Sequence, residues 1–237
     1  MKKITMCVVC AVLVSAHCFA EFVLMPAVGF SSFALDGKAF DSSGSSRVDV
    51  KTALTSFNLS LALGSVSDAG FTFLWDNNLA FGGKLESEIK KTSYSFSEEM
   101  KGFFYEGNLL FGYTFKGIKN LYINAAAGLG SGFGLLTPKK AEYKIGMMSA
   151  GIPIQLGAQY FFTKNIGVNV SFLDVPSFGI IMTPFDIEGL IEELTSSRIS
   201  SAAASYGIPL APSPSRTQFQ AGFTNVFTLK IGPVFKF

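Results

Sequence analysis

FTLKIGPVFKF, residues Phe227 to Phe237, places Phe227, Leu229, Ile231, Phe235 and Phe237 at alternate positions, with Thr228, Lys230, Gly232, Val234 and Lys236 between them. Side chains on a strand point to opposite faces in turn, so this stretch has one greasy face and one wetter face. A strand buried on both faces would not carry Thr228, Lys230 and Lys236 on one side. A strand facing water would not need a bulky apolar residue at nearly every other position. Pro233 is the one break in the apolar face.

The alternation occurs eight times, at about 22–33, 53–64, 71–85, 102–115, 121–135, 146–162, 166–173 and 217–237. In the second of these Phe57, Leu59, Leu61 and Leu63 face Ser56, Asn58, Ser60 and Ala62. In the fourth Phe103, Tyr105, Leu109, Phe111 and Tyr113 face Glu106, Asn108, Gly112 and Thr114.

Composition narrows what such strands can build. The chain of 237 residues is 49% hydrophobic and 15% charged, with 25 Phe, 24 Gly and a mean hydropathy of +0.38. Its body contains no run long enough for a membrane helix, which needs roughly 20 apolar residues. A tilted strand crosses a bilayer with only about 9–11. In hydrocarbon every backbone polar group must find a protein partner, so spanning strands must close into a barrel. The alternation therefore predicts an all-β fold: an eight-stranded antiparallel transmembrane barrel.

A soluble barrel with its apolar face inward has the same alternation, and three features argue against it. Links at about 65–70, 116–120 and 163–165 are short and turn-like, whereas those at about 34–52, 86–101, 136–145 and 174–216 are long. Outer-membrane barrels have short turns at one end and long loops at the other. Aromatic residues gather beside the short links (Phe71, Phe73, Trp75; Phe111, Tyr113, Phe115; Tyr160, Phe161, Phe162; Phe235, Phe237), where an interfacial girdle would lie. An eight-stranded lumen is also too narrow for so many large side chains; the Gly- and Ala-rich face suits it better.

The first twenty residues read as a secretory signal: Lys2 and Lys3, an apolar stretch from Ile4 to Val14, then Ala20 at a plausible cleavage point. Cleavage there would remove Cys7, Cys10, Cys18 and His17, the only cysteines and the only histidine. The 19 basic residues less Lys2 and Lys3 leave 17, against 17 acidic. The expected mature chain, 21–237, thus has no thiol, no imidazole and no basic surplus for nucleic acid. Catalysis is not expected, because Ser with Asp or Glu lacks a base poised near neutrality. No cofactor or metal is expected.

The eight amphipathic strands and the closing aromatic alternation resemble small bacterial outer-membrane barrels, of the outer membrane protein W and opacity (OmpX-like) types. The resemblance implies an outer-membrane location, lipid as a partner, and transient reading of Leu229, Ile231, Phe235 and Phe237 by the barrel-assembly machinery. It also implies, for the W type, passage of small hydrophobic molecules.

Local irregularities carry further expectations. Pro153 lies mid-strand and suggests a bulge. Asn77 and Asn225 interrupt the apolar face. Thr183-Pro184 with Ile187, Leu190, Ile191 and Leu194 at helical spacing predicts a short helix, about 184–203, within the last loop. Such a helix could cover the mouth or contact a ligand. Val175 to Phe185 is apolar enough to leave ten strands as an alternative to eight.

The inward parity nominates the lumen. Its charges are Asp76, Lys84, Glu106, Lys230 and Lys236, with Asn108 and Gln155 as polar neighbours. They read either as a selective passage or as a network that neutralises itself. Leu74, Phe104, Leu110, Met147, Phe161 and Val226 read either as the lining of a conduit for small hydrophobic solutes or as packing in a plugged barrel. A surface-display protein whose loops bind host or environmental ligands is the alternative to a conduit.

Overall fold

Inward and outward side chains alternate along every strand of the computed structural model, which describes residues 21–40, 47–90, 95–140, 143–183 and 218–237. The strands are β1 Glu21–Phe40, β2 Arg47–Val66, β3 Phe71–Ile89, β4 Ser95–Ile118, β5 Leu121–Pro138, β6 Ile145–Gly151, β7 Ile154–Phe161, β8 Ile166–Thr183 and β9 Gln218–Lys236. Each pairs antiparallel with its neighbours, and β9 returns to β1. β6 and β7 both pair with β5 and with β8, so they are two halves of one stave and the ring has eight. The expected helix and the expected signal lie outside the described residues.

The register fixes the shape. Starting at Val28, the cross-strand partners run through Leu59, Leu79, Tyr105, Phe133, Met148, Ile180 and Ala221 and return to β1 at Lys38. Eight staves with this ten-residue stagger tilt by about 40° and enclose a backbone radius of about 8 Å. Such a lumen holds side chains and little else.

Tight turns close one end. At the first, the Ser67 N–H donates to the Phe71 carbonyl at 2.8 Å and Gly70 takes a φ of 92°. At the second, Asn120 adopts a φ of 64°, a region that asparagine tolerates. At the far end the strands run well into the segments expected to be loops. β1 and β2 stay paired to Phe40 and Arg47, β3 and β4 to Glu88 and Ser95, and 174–183 forms the far half of β8 rather than a further hairpin.

The physical reason is an inversion of the pattern. From the short turns up to Phe30 and Phe57 the outward face is apolar and exposed, with Leu59 and Leu109 between. Beyond Phe30 and Phe57 the apolar residues move inside: Phe33, Leu35, Val50, Leu54, Leu85, Met100 and Leu136 are buried. The outward positions there carry Asp36, Lys51, Glu86, Glu88 and Lys101, and Lys90 pairs with Asp36 at 2.6 Å. One sheet is thus built for lipid in its lower part and for water in its upper part.

Bulges help to effect the change. The register shifts between Phe81 and Gly83 against β4 and between Thr55 and Phe57 against β3. Gly82, Gly83 and Gly102 have φ of 53°, 122° and 120°, which Gly alone adopts freely. The extra residue in β3 reverses its parity. Lys84, expected inside, therefore faces out and pairs with Glu86 at 2.6 Å, while Leu85 turns in.

Pro153 does not make a bulge. Gly130 pairs with Gly151 and Ala127 with Ile154, so β5 stays in step across the break, as does β8 through Ser177 and Asp174. The ladder loses only donors. Gly128 N–H reaches the Pro153 carbonyl at 3.0 Å and Ile152 N–H reaches Pro176 at 3.0 Å, but neither proline can donate in return.

Candidate functional site

The lumen is built from the inward positions of all eight staves and falls into three layers. Nearest the turns lies an apolar cluster that includes Val23, Met25, Leu74, Leu110, Phe161 and Val234. Towards the far end lies a larger one, with Phe33, Leu54, Phe104, Met147, Val175 and Val226 among its members. Phe33 and Phe104 meet edge-on there, with centroids 5.5 Å apart.

Between the two lies a polar belt. Asp76 on β3 stands beside Asn108 on β4, and Asn78 stands beside Glu106. Lys230 reaches across from β9. Its Nζ lies 2.8 and 2.6 Å from the two Asp76 oxygens and 3.2 Å from Asn78 Oδ1. Asn78 also donates to Asp76 Oδ2 at 3.3 Å. The paired side chains are only 2% and 0% exposed, so each charge depends on the other for compensation. Glu106 is equally buried, and its Oε1 has no partner in the protein. Gln155 Oε1 is likewise unpaired.

Asp76, Glu106, Lys230, Asn108 and Gln155 thus share one layer, whereas Leu74 and Leu110 lie below it and Phe104 above. Sequence reading did not single out Asn78, or the chain in which Asn58 Nδ2 donates to Ser31 Oγ at 2.8 Å and Ser31 meets Thr228 Oγ1 at 2.9 Å. The signal was present, since all of them share the inward parity.

A second polar group closes the turn end. Lys116 and Lys236 reach the two oxygens of Glu21 at 3.0 and 3.1 Å, and Lys236 also meets Tyr122 Oη at 3.1 Å. The Lys236 ammonium lies 5.0 Å from the centre of the Phe161 ring, so cation and aromatic face stack over the mouth.

The outward face carries aromatic residues at both edges. Phe22 packs on Phe237 and Phe71 on Tyr113 at the turn end. Phe30 packs on Phe57 and Phe103 on Phe133 at the other. Leu229, Ile231 and Phe237 face out on the same wall, with Phe235 half-buried beside them. Asn77 is satisfied within this wall: Tyr105 Oη donates to its Oδ1 at 2.7 Å, and its Nδ2 donates to the Leu61 carbonyl at 3.3 Å. The positions Ile187, Leu190, Ile191 and Leu194 lie outside the described residues. Among the described residues no cluster of acidic, His or Cys side chains could hold a metal ion.

A closed ring of antiparallel strands is the architecture that comparison with known proteins also finds. A family model described as a domain of unknown function, DUF2715, matches residues 18–237. The chain belongs to this family. Its fold resembles outer membrane protein OprG from Pseudomonas aeruginosa, with a TM-score of 0.54 and 13% identity over 94% of this chain and 98% of that one. It also resembles outer membrane protein AlkL, seen in lipid bilayers, with a TM-score of 0.52 and 13% identity over 92% and 90% of the two chains. These likenesses concern the fold. No curated protein matches the chain in sequence. This DUF2715 member is a small outer-membrane-type β-barrel.

Proposed function

We propose that this barrel is a surface-binding protein of the bacterial outer membrane, with its long hairpins outside the cell and its barrel as the anchor. The observation that carries the reading is the inversion beyond Phe30 and Phe57. From Phe30 to Phe40 the first hairpin adds ten residues, which at about 3.3 Å each and a tilt near 40° rise about 25 Å above Phe30. That extension has a packed core and a charged exterior, as a platform for contacts needs. The filled lumen supports the same reading. Apolar layers lie on both sides of the Lys230–Asp76 pair, so an axial route would have to cross two packed clusters. The mature chain is read as non-catalytic, since it would lack an imidazole.

A conduit for small hydrophobic solutes is the second reading, and one observation favours it. Pro153 and Pro176 remove two neighbouring ladder donors from the wall beside the lumen. Solute exchange would then use the wall rather than the axis.

The deciding experiment cuts the β1–β2 and β3–β4 hairpins back to the level of Phe30–Phe57 and Phe81–Phe103. Cells bearing the full chain should adhere to matrix-coated surfaces and cells bearing the trimmed chain should not. Neither protein should speed entry of a fluorescent apolar solute into liposomes. Equal acceleration by both forms would overturn the surface-binding reading in favour of the conduit.

A further inference from the structure

A groove of about 640 Å³ runs along the outer wall where the apolar band gives way to the charged extension. Its position is decided by parity: Ala34, Ala53, Phe223 and Asn225, which line its lower part, all face outward, as do Asp36, Lys51, Glu86 and Glu88 along its upper part. The small side chains of Ala34 and Ala53 leave the hollow. The Gly82–Gly83 and Gly102 bulges bend β3 and β4 just below the segments that form its far side.

We propose that this groove binds one phospholipid with a zwitterionic headgroup, drawn from the leaflet at that end of the barrel. Three features select the occupant. The groove opens just above the lipid-facing band that ends on these strands at Phe30 and Phe57, so an acyl chain of the leaflet can rise into its lower half beside Phe223. Its volume lies within the roughly 300–1,000 Å³ usual for sites of small molecules. Its charges are mixed. Asp36 is held by Lys90 and Glu86 by Lys84, while Glu88 and Lys51 stand opposite each other on β3 and β2. Those two can take an ammonium and a phosphate at once. An anionic headgroup without an ammonium would satisfy Lys51 but leave Glu88 with no cation to meet it.

The site depends on the barrel fold and on no assumption about what the hairpins bind. Native mass spectrometry of the detergent-purified full chain tests it, with phosphatidylcholine and phosphatidylglycerol offered separately at equal concentration. Phosphatidylcholine should remain as a single adduct and exceed phosphatidylglycerol by about fivefold, the factor one exposed charged contact supplies. Ala53→Phe, which fills the floor, should abolish the preference. Glu88→Gln, at an exposed position that the fold does not need, should reduce it. Heat-modifiable gel mobility reports whether each variant is folded. Equal retention of the two lipids by the wild type would overturn the proposal. So would an unchanged preference in both variants, or an Ala53→Phe variant that alters only the mass of an oligomer, the sign that a second copy fills the groove.

Discussion

Lys230 of β9 and Asp76 of β3 meet across the middle of the lumen, with the ammonium within 2.8 Å of both carboxylate oxygens and both side chains almost fully buried. The pair ties opposite walls of the barrel between two apolar layers. Replacing Lys230 with Met leaves Asp76 without a counter-charge. The loss should be about 3–5 kcal/mol in urea unfolding from detergent micelles. Adding Asp76→Leu to Lys230→Met should recover most of it, because a matched apolar pair avoids the buried charge.

The inversion along β2 sets two positions of the same parity in different solvents. Leu59→Arg lies well inside the lipid-facing band and should cost about 2–4 kcal/mol. Thr55→Arg, four residues along at the far edge, should cost about 0–1 kcal/mol. Equilibrium folding into vesicles measures both. Similar costs at the two sites would place the band edge elsewhere.

Tyr105 shields a polar side chain within the apolar wall. Tyr105→Phe removes the donor to Asn77 Oδ1 and should destabilise by about 1–3 kcal/mol. Asn77→Leu in the Tyr105→Phe background should restore stability, since the orphaned group is then gone. A double-mutant cycle isolates the pair.

Gly102 has a φ of 120°, and a Cβ there would come within 2.1 Å of the Leu135 carbonyl oxygen. Gly102→Ala should therefore cost at least about 1–3 kcal/mol, or force the bulge to migrate. Refolding yield, read as the heat-modifiable band, reports the first outcome. Loss of the Lys84–Glu99 register between β3 and β4 in a cross-linking assay reports the second.

The lower barrel was legible because one alternation, strict and bulky, points outward there. Phe57 through Leu63 reads as a lipid-facing strand with no further information. The upper barrel was not legible as strand because the same period continues with its sign reversed: Phe33, Leu35 and Leu54 go inside and the outer residues become small or charged. A reader following outward Phe and Leu runs out of signal at Phe30 and sees a loop. Lys84 was misplaced for a related reason. The Gly82–Gly83 bulge adds a residue, and strict parity carried across it lands on the wrong face. Pro153 suggested a bulge because proline does remove a donor, yet the Gly-rich face of β5 opposite it lets the ladder keep its register. The belt residues Asp76, Glu106, Asn108, Gln155 and Lys230 followed from parity alone, but the partnership of Lys230 with Asp76 did not. It depends on the ten-residue stagger, which only the closed register reveals.

The central claim is that the outward face of β2 meets lipid up to Phe57 and water beyond it. Spin labels on single cysteines along β2, in the otherwise cysteine-free 21–237 chain in vesicles, test this most directly through collision with oxygen and with a nickel chelate. Oxygen-dominated collisions are expected at Leu59 and Leu61, nickel-dominated collisions at Lys51, and weak collisions with both at Leu54 and Asn58. Oxygen-dominated collisions at Asn58 and Ser60, or persisting out to Lys51, would contradict it.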